Sequence, residues 1–198
     1  MDDFASFVEA VRSAEHCTVL TGAGASTESG LPDFRSKQGL WQGVDPMRLA
    51  SMTALRTNPV EFYQFYQMRL SKLRDAAPNR VHYTLASLER EGYVQVVVTQ
   101  NIDGLHQLAG STTVIEAHGS LRSAVCLGCR REYQAAVLEV PVATRADIPC
   151  CSECGGTLKP GVVLFEEALP ADAIMAAHDH ALRSDLSVSY THLTLPTN

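Results

Sequence analysis

An α/β fold, built on a parallel sheet and carrying a small second domain, is what this sequence predicts, on three observations. Apolar strands alternate with helices whose apolar residues recur at helical spacing. A glycine-rich turn, Gly22-Ala23-Gly24, directly follows the first strand. Two Cys-x-x-Cys pairs, Cys126/Cys129 and Cys151/Cys154, flank residues 130–150 with the spacing of a zinc ribbon.

Phe4, Phe7, Val8 and Val11 predict an amphipathic N-terminal helix, leading into a strand at about Thr18 to Thr21. Gly22, Gly24 and Gly30 then allow a tight turn and close backbone approach to a ligand, with a short helix starting inside the turn. From Lys37 to Asp75, Trp41, Leu49, Met52, Leu55, Phe62, Phe65, Tyr66 and Leu70 keep helical rhythm, so this stretch reads as a helical insert. Asn79 is placed to cap a helix running to about Glu91, which Gly92 ends before a strand from Tyr93 to Thr99. A further strand, Thr112 to Glu116, precedes His118, and the zinc module then occupies about Leu121 to Pro160. The domain division expected is 1–36, 77–119 and 161–198 for the sheet domain, with 37–76 and 120–160 forming the smaller one. Ligands are expected at the carboxyl ends of the strands.

The composition excludes several classes. A chain of 198 residues with 45% hydrophobic residues has enough apolar mass for a real core and does not read as disordered. The net charge of -6 and the lack of a dense Lys/Arg block argue against direct nucleic-acid binding. No run approaches the ~20 apolar residues of a membrane span, and no leader-like apolar segment follows Met1, so a soluble cytoplasmic protein is expected. Cysteines spaced as metal ligands fit a reducing compartment. Cys17 reads as a small buried hydrophobe, and Cys150 lacks the two-residue gap to Cys154 that Cys151 has. Four thiolates close a zinc site, leaving no position for a reacting water, so the metal is expected to be structural.

The chemistry concentrates in Thr99-Gln100-Asn101-Ile102-Asp103-Gly104-Leu105-His106, where amide, carboxylate and imidazole groups follow an apolar strand. Asn101 and Asp103 carry the donors and acceptors to bind a carboxamide, although either residue alone reads as an ordinary Asx turn. His118, at a strand end before Gly119, is suited to general-base work, with His106 as the second candidate. His16, His82, His178, His180 and His192 read as surface or core residues. Gly22-x-Gly24 by itself is a weak signal, because position 27 is Thr where the dinucleotide fingerprint has Gly.

The longer strings are more specific. Gly22-Ala23-Gly24-Ala25-Ser26-Thr27-Glu28-Ser29-Gly30-Leu31-Pro32-Asp33-Phe34-Arg35, the Gln100 to His106 loop, His118-Gly119 and the paired cysteines together resemble the sirtuins, NAD-dependent protein deacylases. The resemblance runs from about Val11 to Leu186 and implies a Rossmann-like sheet with a zinc-ribbon and helical small domain. It implies NAD as co-substrate, held by Gly22, Ala23, Gly24, Ser26, Asp33, Phe34, Arg35, Gln100, Asn101, Ile102, Asp103 and His118. Ser26 and loop amides would meet the pyrophosphate, Arg35 a nearby charge, and Phe34 would shield the nicotinamide side. It also implies acylated-lysine peptides as substrates: the acyl oxygen attacks the nicotinamide ribose, nicotinamide leaves, and His118 deprotonates a ribose hydroxyl so that the acyl group passes to ADP-ribose. Asn101 and Asp103 would order the ribose and carboxamide. Val162, Val163 and Phe165 belong to a strand, Val162 to Phe165, that would line the acyl-lysine tunnel. Tyr66-x-x-Arg69 resembles the pair with which certain sirtuins hold the carboxylate of succinyl- or malonyl-lysine, and reads equally as an ordinary buried Tyr and solvated Arg.

Two departures stand out. Glu166 occupies a position where the sirtuin pattern has Gly in Phe-Gly-Glu, adding a charged side chain beside the expected peptide cleft. Beyond Leu186 the resemblance stops, and residues 187–198 offer at most a short alternating strand, so the sheet is expected to be C-terminally incomplete. Two rival functions remain at the level of sequence: an NAD-dependent oxidoreductase, which would transfer hydride, and a non-catalytic zinc-ribbon interaction module, in which nothing depends on His118.

Overall fold

The computed structural model describes residues 3–33 and 45–191; Phe34, Arg35, Trp41 and His192 lie outside the described residues. The first sheet is parallel throughout, in the order β3-β2-β1-β7, and comprises β1 (Cys17–Thr21), β2 (Val96–Thr99), β3 (Val114–Glu116) and β7 (Leu186–Tyr190). Cys17-Thr-Val-Leu-Thr21 and Val96-Val-Val-Thr99 are short apolar and β-branched runs, the composition expected of central parallel strands. Val19 pairs with Val97 and Val188, and the core beneath is completed by Leu85 and Val94. Burial pushes the Cys17 thiol pKa up, consistent with its reading as a packing residue.

α1 (Asp3–Ser13) forms as expected, but Phe4 and Phe7 stay exposed, so its apolar stripe is not a core face among the described residues. α5 (Arg80–Arg90) starts at Asn79, whose side chain accepts from Val81 N at 2.9 Å, and ends before Gly92 at φ +85°. The short alternating strand expected after Leu186 forms. Residues 187–190 continue β7 in register with β1 after α7 (Ala171–Arg183), and the Asp185 carboxylate accepts from Glu15 N and His16 N to fix where the two strands begin.

The second layer is an antiparallel sheet, β5-β4-β6, made of β4 (Gly119–Cys126), β5 (Glu132–Gln134) and β6 (Leu158–Val162). Three helices pack on it: α2 (Pro46–Leu49), α3 (Met52–Thr57) and α4 (Pro59–Arg74). Phe62, Tyr63, Phe65, Tyr66 and Leu70 of α4 meet Leu121, Ala124, Leu138, Leu158 and Leu164 in a core distinct from that of the parallel sheet. Fully burying an aromatic such as Phe62 contributes about 2–3 kcal/mol. Tyr63, equally buried, donates its hydroxyl hydrogen to the Leu158 carbonyl, which meets the need of a buried phenol for a partner.

Beneath the carboxyl end of the parallel sheet lies a buried polar chain. His82 Nδ1 accepts from Asn79 N at 3.2 Å, the His82 and His106 rings are 4.8 Å apart, and His106 Nε2 meets Thr21 Oγ1 at 2.9 Å. Thr21 in turn donates to Thr99 Oγ1 at 2.9 Å. With its hydroxyl hydrogen committed there, Thr21 accepts from His106, which fixes the proton on His106 Nε2. His106 is 1% exposed, and burial, with His82 beside it, lowers its pKa to about 4. A buried imidazole with so low a pKa is a poor general base.

This predicts an acid-sensitive fold. The unfolded chain protonates His106 near 6.5 and the folded chain near 4, so the contribution is fully present above the higher value and is lost as pH falls through that window. Urea denaturation at roughly pH 7 and pH 5 should differ by about 2 kcal/mol from this group, and the difference should shrink by about that amount in His106→Asn. An equal acid loss in both proteins would assign the sensitivity elsewhere.

Candidate functional site

All four parallel strands deliver their carboxyl ends to one edge, and the residues that follow them, Gly22, Gln100, His118 and Thr191, line a single cavity of about 750 Å³. Backbone bonds hold these ends side by side: Gly22 N to Tyr190 O at 3.1 Å, Gln100 N to Thr21 O at 2.9 Å, and Ala117 N to Thr99 O at 2.9 Å. Such an edge is where open α/β sheets bind ligands.

The glycine loop turns through a short 3₁₀ helix, Ala23–Ser29, closed by Gly30 at φ +81°. Two asparagines hold it. Asn101 donates from Nδ2 to Gly22 O and to Ser26 Oγ, both at 3.0 Å, while Asn79 donates to Ala25 O at 2.8 Å and Ser29 Oγ at 3.1 Å. Ser26 donates to Asp103 Oδ2 at 2.7 Å, and Asp103 Oδ1 accepts from Leu105 N at 3.0 Å. Asn101, Asp103 and Ser26, with Ala23, Ile102, Leu31 and Pro32, border a niche of about 50 Å³ that shares walls with the large cavity. Gly24 accepts from Thr27 Oγ1 at 3.0 Å, and Asp33 is buried at the end of the described loop.

His118 Nδ1 lies 3.0 Å from the Gln100 carbonyl, which can only accept. Nδ1 therefore carries a proton, and in the neutral imidazole the lone pair is on Nε2. Gly119 fixes where the ring sits: at φ +71° it leads directly into β4, and a Cβ there would lie 2.2 Å from the Gly161 carbonyl oxygen. No side chain fits that approach.

Across the cavity stand Tyr66 and Arg69 of α4, one helical turn apart, with Pro46 and Ala50 from α2 and its C-cap. Tyr66 is buried, and burial raises its pKa, so the phenol keeps its proton. Burial pulls the Arg69 pKa down while Tyr66 and Asp103 favour its charge, and guanidinium remains cationic in any such setting. The remaining wall is Val162 to Glu167. The expected strand from Val162 to Phe165 is displaced: β6 ends at Val162, and the chain continues extended, with Val163 N donating to His118 O at 2.8 Å and Phe165 forming an isolated bridge to Ser51. Pro160 and Gly161 obscure β6 in the sequence, since Pro lacks a ladder donor and Gly has no side chain to pack. Lys159 and Glu167 brace the bend: Lys159 Nζ bonds Val162 O at 2.7 Å and Glu167 Oε2 at 2.6 Å, and Glu167 Oε2 also accepts from Leu164 N at 2.9 Å.

The sequence reading missed Thr191, Pro46, Ala50 and Leu169 as lining residues, which carry no local signal, and Asn79, which it read only as a cap.

Some distance from this cavity, the Sγ atoms of Cys126, Cys129, Cys151 and Cys154 all lie within 4.8 Å of one another. Tetrahedral zinc–thiolate bonds of ~2.3 Å require sulfurs roughly 3.8 Å apart; Cys126–Cys154 is 3.4 Å and Cys129–Cys151 is 3.6 Å. Amides of Gly128, Cys129 and Glu153 point at Cys126 and Cys151 sulfurs, and Tyr133 Oη lies 3.0 Å from Cys151 Sγ, as suits thiolates. Four thiolates of this geometry fit zinc. Cys150 instead faces the Ile148 carbonyl. Metal analysis should therefore give one zinc per chain, retained in Cys150→Ser and lost or much weakened in Cys151→Ser; the reverse pattern would reassign the ligands.

Comparison with known proteins places these features in a family. The Sir2 family profile matches residues 22–190, further along β7 than the sequence reading reached. An NAD-dependent protein deacetylase of Sulfolobus acidocaldarius is 47% identical over 178 residues, covering 90% of this chain and 69% of that protein. NAD-dependent protein deacetylase 1 of Geobacillus kaustophilus is 48% identical over 175 residues, covering 88% and 69%. Among solved structures, a Sir2 homologue–NAD complex aligns with TM-score 0.86 at 36% identity, covering 98% of this chain and 74% of that one. A Sir2 variant with a deacetylated p53 peptide and 3′-O-acetyl ADP-ribose aligns with TM-score 0.86 at 34% identity, covering 94% and 75%. A profile match over most of the chain and relatives this similar leave one assignment: the chain belongs to the Sir2 family, the sirtuins.

Proposed function

We infer that this chain is an NAD-dependent protein-lysine deacylase, acting on acylated-lysine peptides. The observation that carries the reading is the convergence of Gly22, Ala23, His118, Tyr66 and Arg69 on one cavity, with Asn101 and Asp103 in the niche that shares walls with it. NAD would supply an activated ribose: the acyl oxygen would bond to its anomeric carbon as nicotinamide leaves, a ribose hydroxyl would add to the acyl carbon, and water would release the lysine amine, leaving the acyl group as an ester on ADP-ribose. The curated relatives named for this activity support it.

Several roles rest on the geometry described above, and others on the sirtuin resemblance alone. The glycine loop from Gly22 to Ser26, with Asp33, Gln100 and Ile102, is assigned to the dinucleotide, and the resemblance adds Phe34 and Arg35, which lie outside the described residues. Asn101 and Asp103 bind the carboxamide and orient the ribose; their mutual tie through Ser26 keeps both groups in place before ligand arrives. His118 Nε2 takes the proton of a ribose hydroxyl, because its Nδ1–H is held by a carbonyl. Val162, Val163 and Phe165 form the wall along which the peptide lies, and zinc at the four cysteines keeps β4 and β6 in place. The working division assigns 1–36, 77–119 and 161–198 to the nucleotide and the remainder to the small domain.

We further propose that acidic acyl groups such as succinyl are accepted. Tyr66 and Arg69 share a cavity with His118, and a phenol and a guanidinium can pair with a carboxylate that is otherwise costly to bury.

Mass spectrometry after incubation with NAD and acetylated or succinylated peptide should detect O-acyl-ADP-ribose. His118→Ala should reduce turnover on both peptides by about 10²- to 10⁴-fold with NAD binding largely intact. Arg69→Met should depress desuccinylation far more than deacetylation. Product formed at the wild-type rate without His118 would overturn its role, and equal losses on both peptides would return Arg69 to packing.

A further inference from the structure

Beyond the groups at the strand ends, one residue combines an unusual backbone conformation with a specific contact. Glu166 holds φ +75°, in the left-handed region where an L-residue is disfavoured and glycine is at ease; Arg130 is the other non-glycine residue there among the described residues. Its position is the one where the sequence departs from Phe-Gly-Glu.

The contact accounts for the departure. Glu166 Oε2 accepts from Thr53 N at 2.8 Å and Oε1 from Thr53 Oγ1 at 2.9 Å, so one carboxylate grips both polar groups of a single residue in α3. Main-chain bonds run beside it, from Phe165 N to Ala50 O at 3.0 Å and from Met52 N to Phe165 O at 3.2 Å. The two elements joined here both line the same cavity and meet along these bonds: Pro46 and Ala50 belong to one, Val163, Leu164 and Phe165 to the other. Glu167 is engaged by Lys159 instead, while Glu166 adds a side-chain tie to these main-chain bonds.

We propose that Glu166 is a latch, a positioning residue that holds the α2–α3 turn against the extended 163–165 segment and so sets the width of the acyl-peptide cleft. This rests on the deacylase reading. Backbone strain of this kind persists where the surrounding contacts over-determine it. Glycine at this position relaxes the backbone and gives up the tether; glutamate does the reverse. The latch acts on the peptide side of the cavity, away from the glycine loop, so its loss is felt by peptide and not by NAD.

The test uses the full chain as wild type, Glu166→Gly, Glu166→Ala and Glu166→Gln, with steady-state kinetics on an acetylated peptide and backbone hydrogen exchange across residues 51–55. Losing two hydrogen bonds to a charged acceptor should raise the peptide KM by about tenfold in the Gly and Ala variants, with kcat and the KM for NAD within about twofold of wild type. Exchange at the Thr53 amide should quicken in both. Gln keeps an acceptor for Thr53 N and should recover most of the peptide affinity and protection. Wild-type KM and exchange in Glu166→Gly would overturn the latch, as would a Gln variant as impaired as Gly, which would make charge rather than tethering the cause. If the wild type itself transfers no acyl group, the deacylase reading fails, and the exchange data still decide whether the tether exists.

Discussion

The site depends on β1 being held in parallel register between β2 and β7. Thr21, the last residue of β1, pairs with Thr99 on one side and Tyr190 on the other, so Gly22, Gln100 and Thr191 leave the sheet together. His118 joins them because Ala117 N is bonded to Thr99 O. A slip of one residue would turn alternate side chains to the wrong face and separate Asn101 from the Gly22 carbonyl it bonds. The fully buried Thr21 hydroxyl ties this register to His106, so the loop after β2 is fixed from below as well as from the side.

The opposite wall obeys a separate constraint. β4 begins immediately after His118 and β6 returns beside it, so His118 and the proposed peptide wall are set by one pair of strands. That pair is held at one end by four cysteines, where metal binding and local folding are one free energy, and along its length by the aromatic face of α4. Tyr66 and Arg69 lie on that same helix, so whatever steadies the small layer also sets the far end of the cavity.

Much of this was legible in the sequence where the signal is local. The β-branched runs of β1 and β2, the Asn79 cap, the Gly92 stop and the cysteine spacing each state a geometry within a few residues. The structure places Asn101, Asp103, His118, Tyr66 and Arg69 around joined cavities. What stayed hidden is non-local or locally contradictory. β6 passes through Pro160 and Gly161, which read as a break, and is held as a strand by pairing with β4. β7 is visible only as a short alternation, and its parallel pairing with β1 cannot be read from it. Asn79 reaching back to Ala25, and Glu166 reaching across to Thr53, join residues far apart in the chain, and no spacing rule announces either.

The central claim is that this cavity consumes NAD in order to remove an acyl group from lysine. Counting products decides it: nicotinamide released and lysine deacylated are measured in the same reaction, alongside absorbance of reduced nicotinamide. The account predicts one nicotinamide for each lysine freed and no reduced cofactor. Deacylation without nicotinamide release, or accumulation of reduced cofactor, would contradict it.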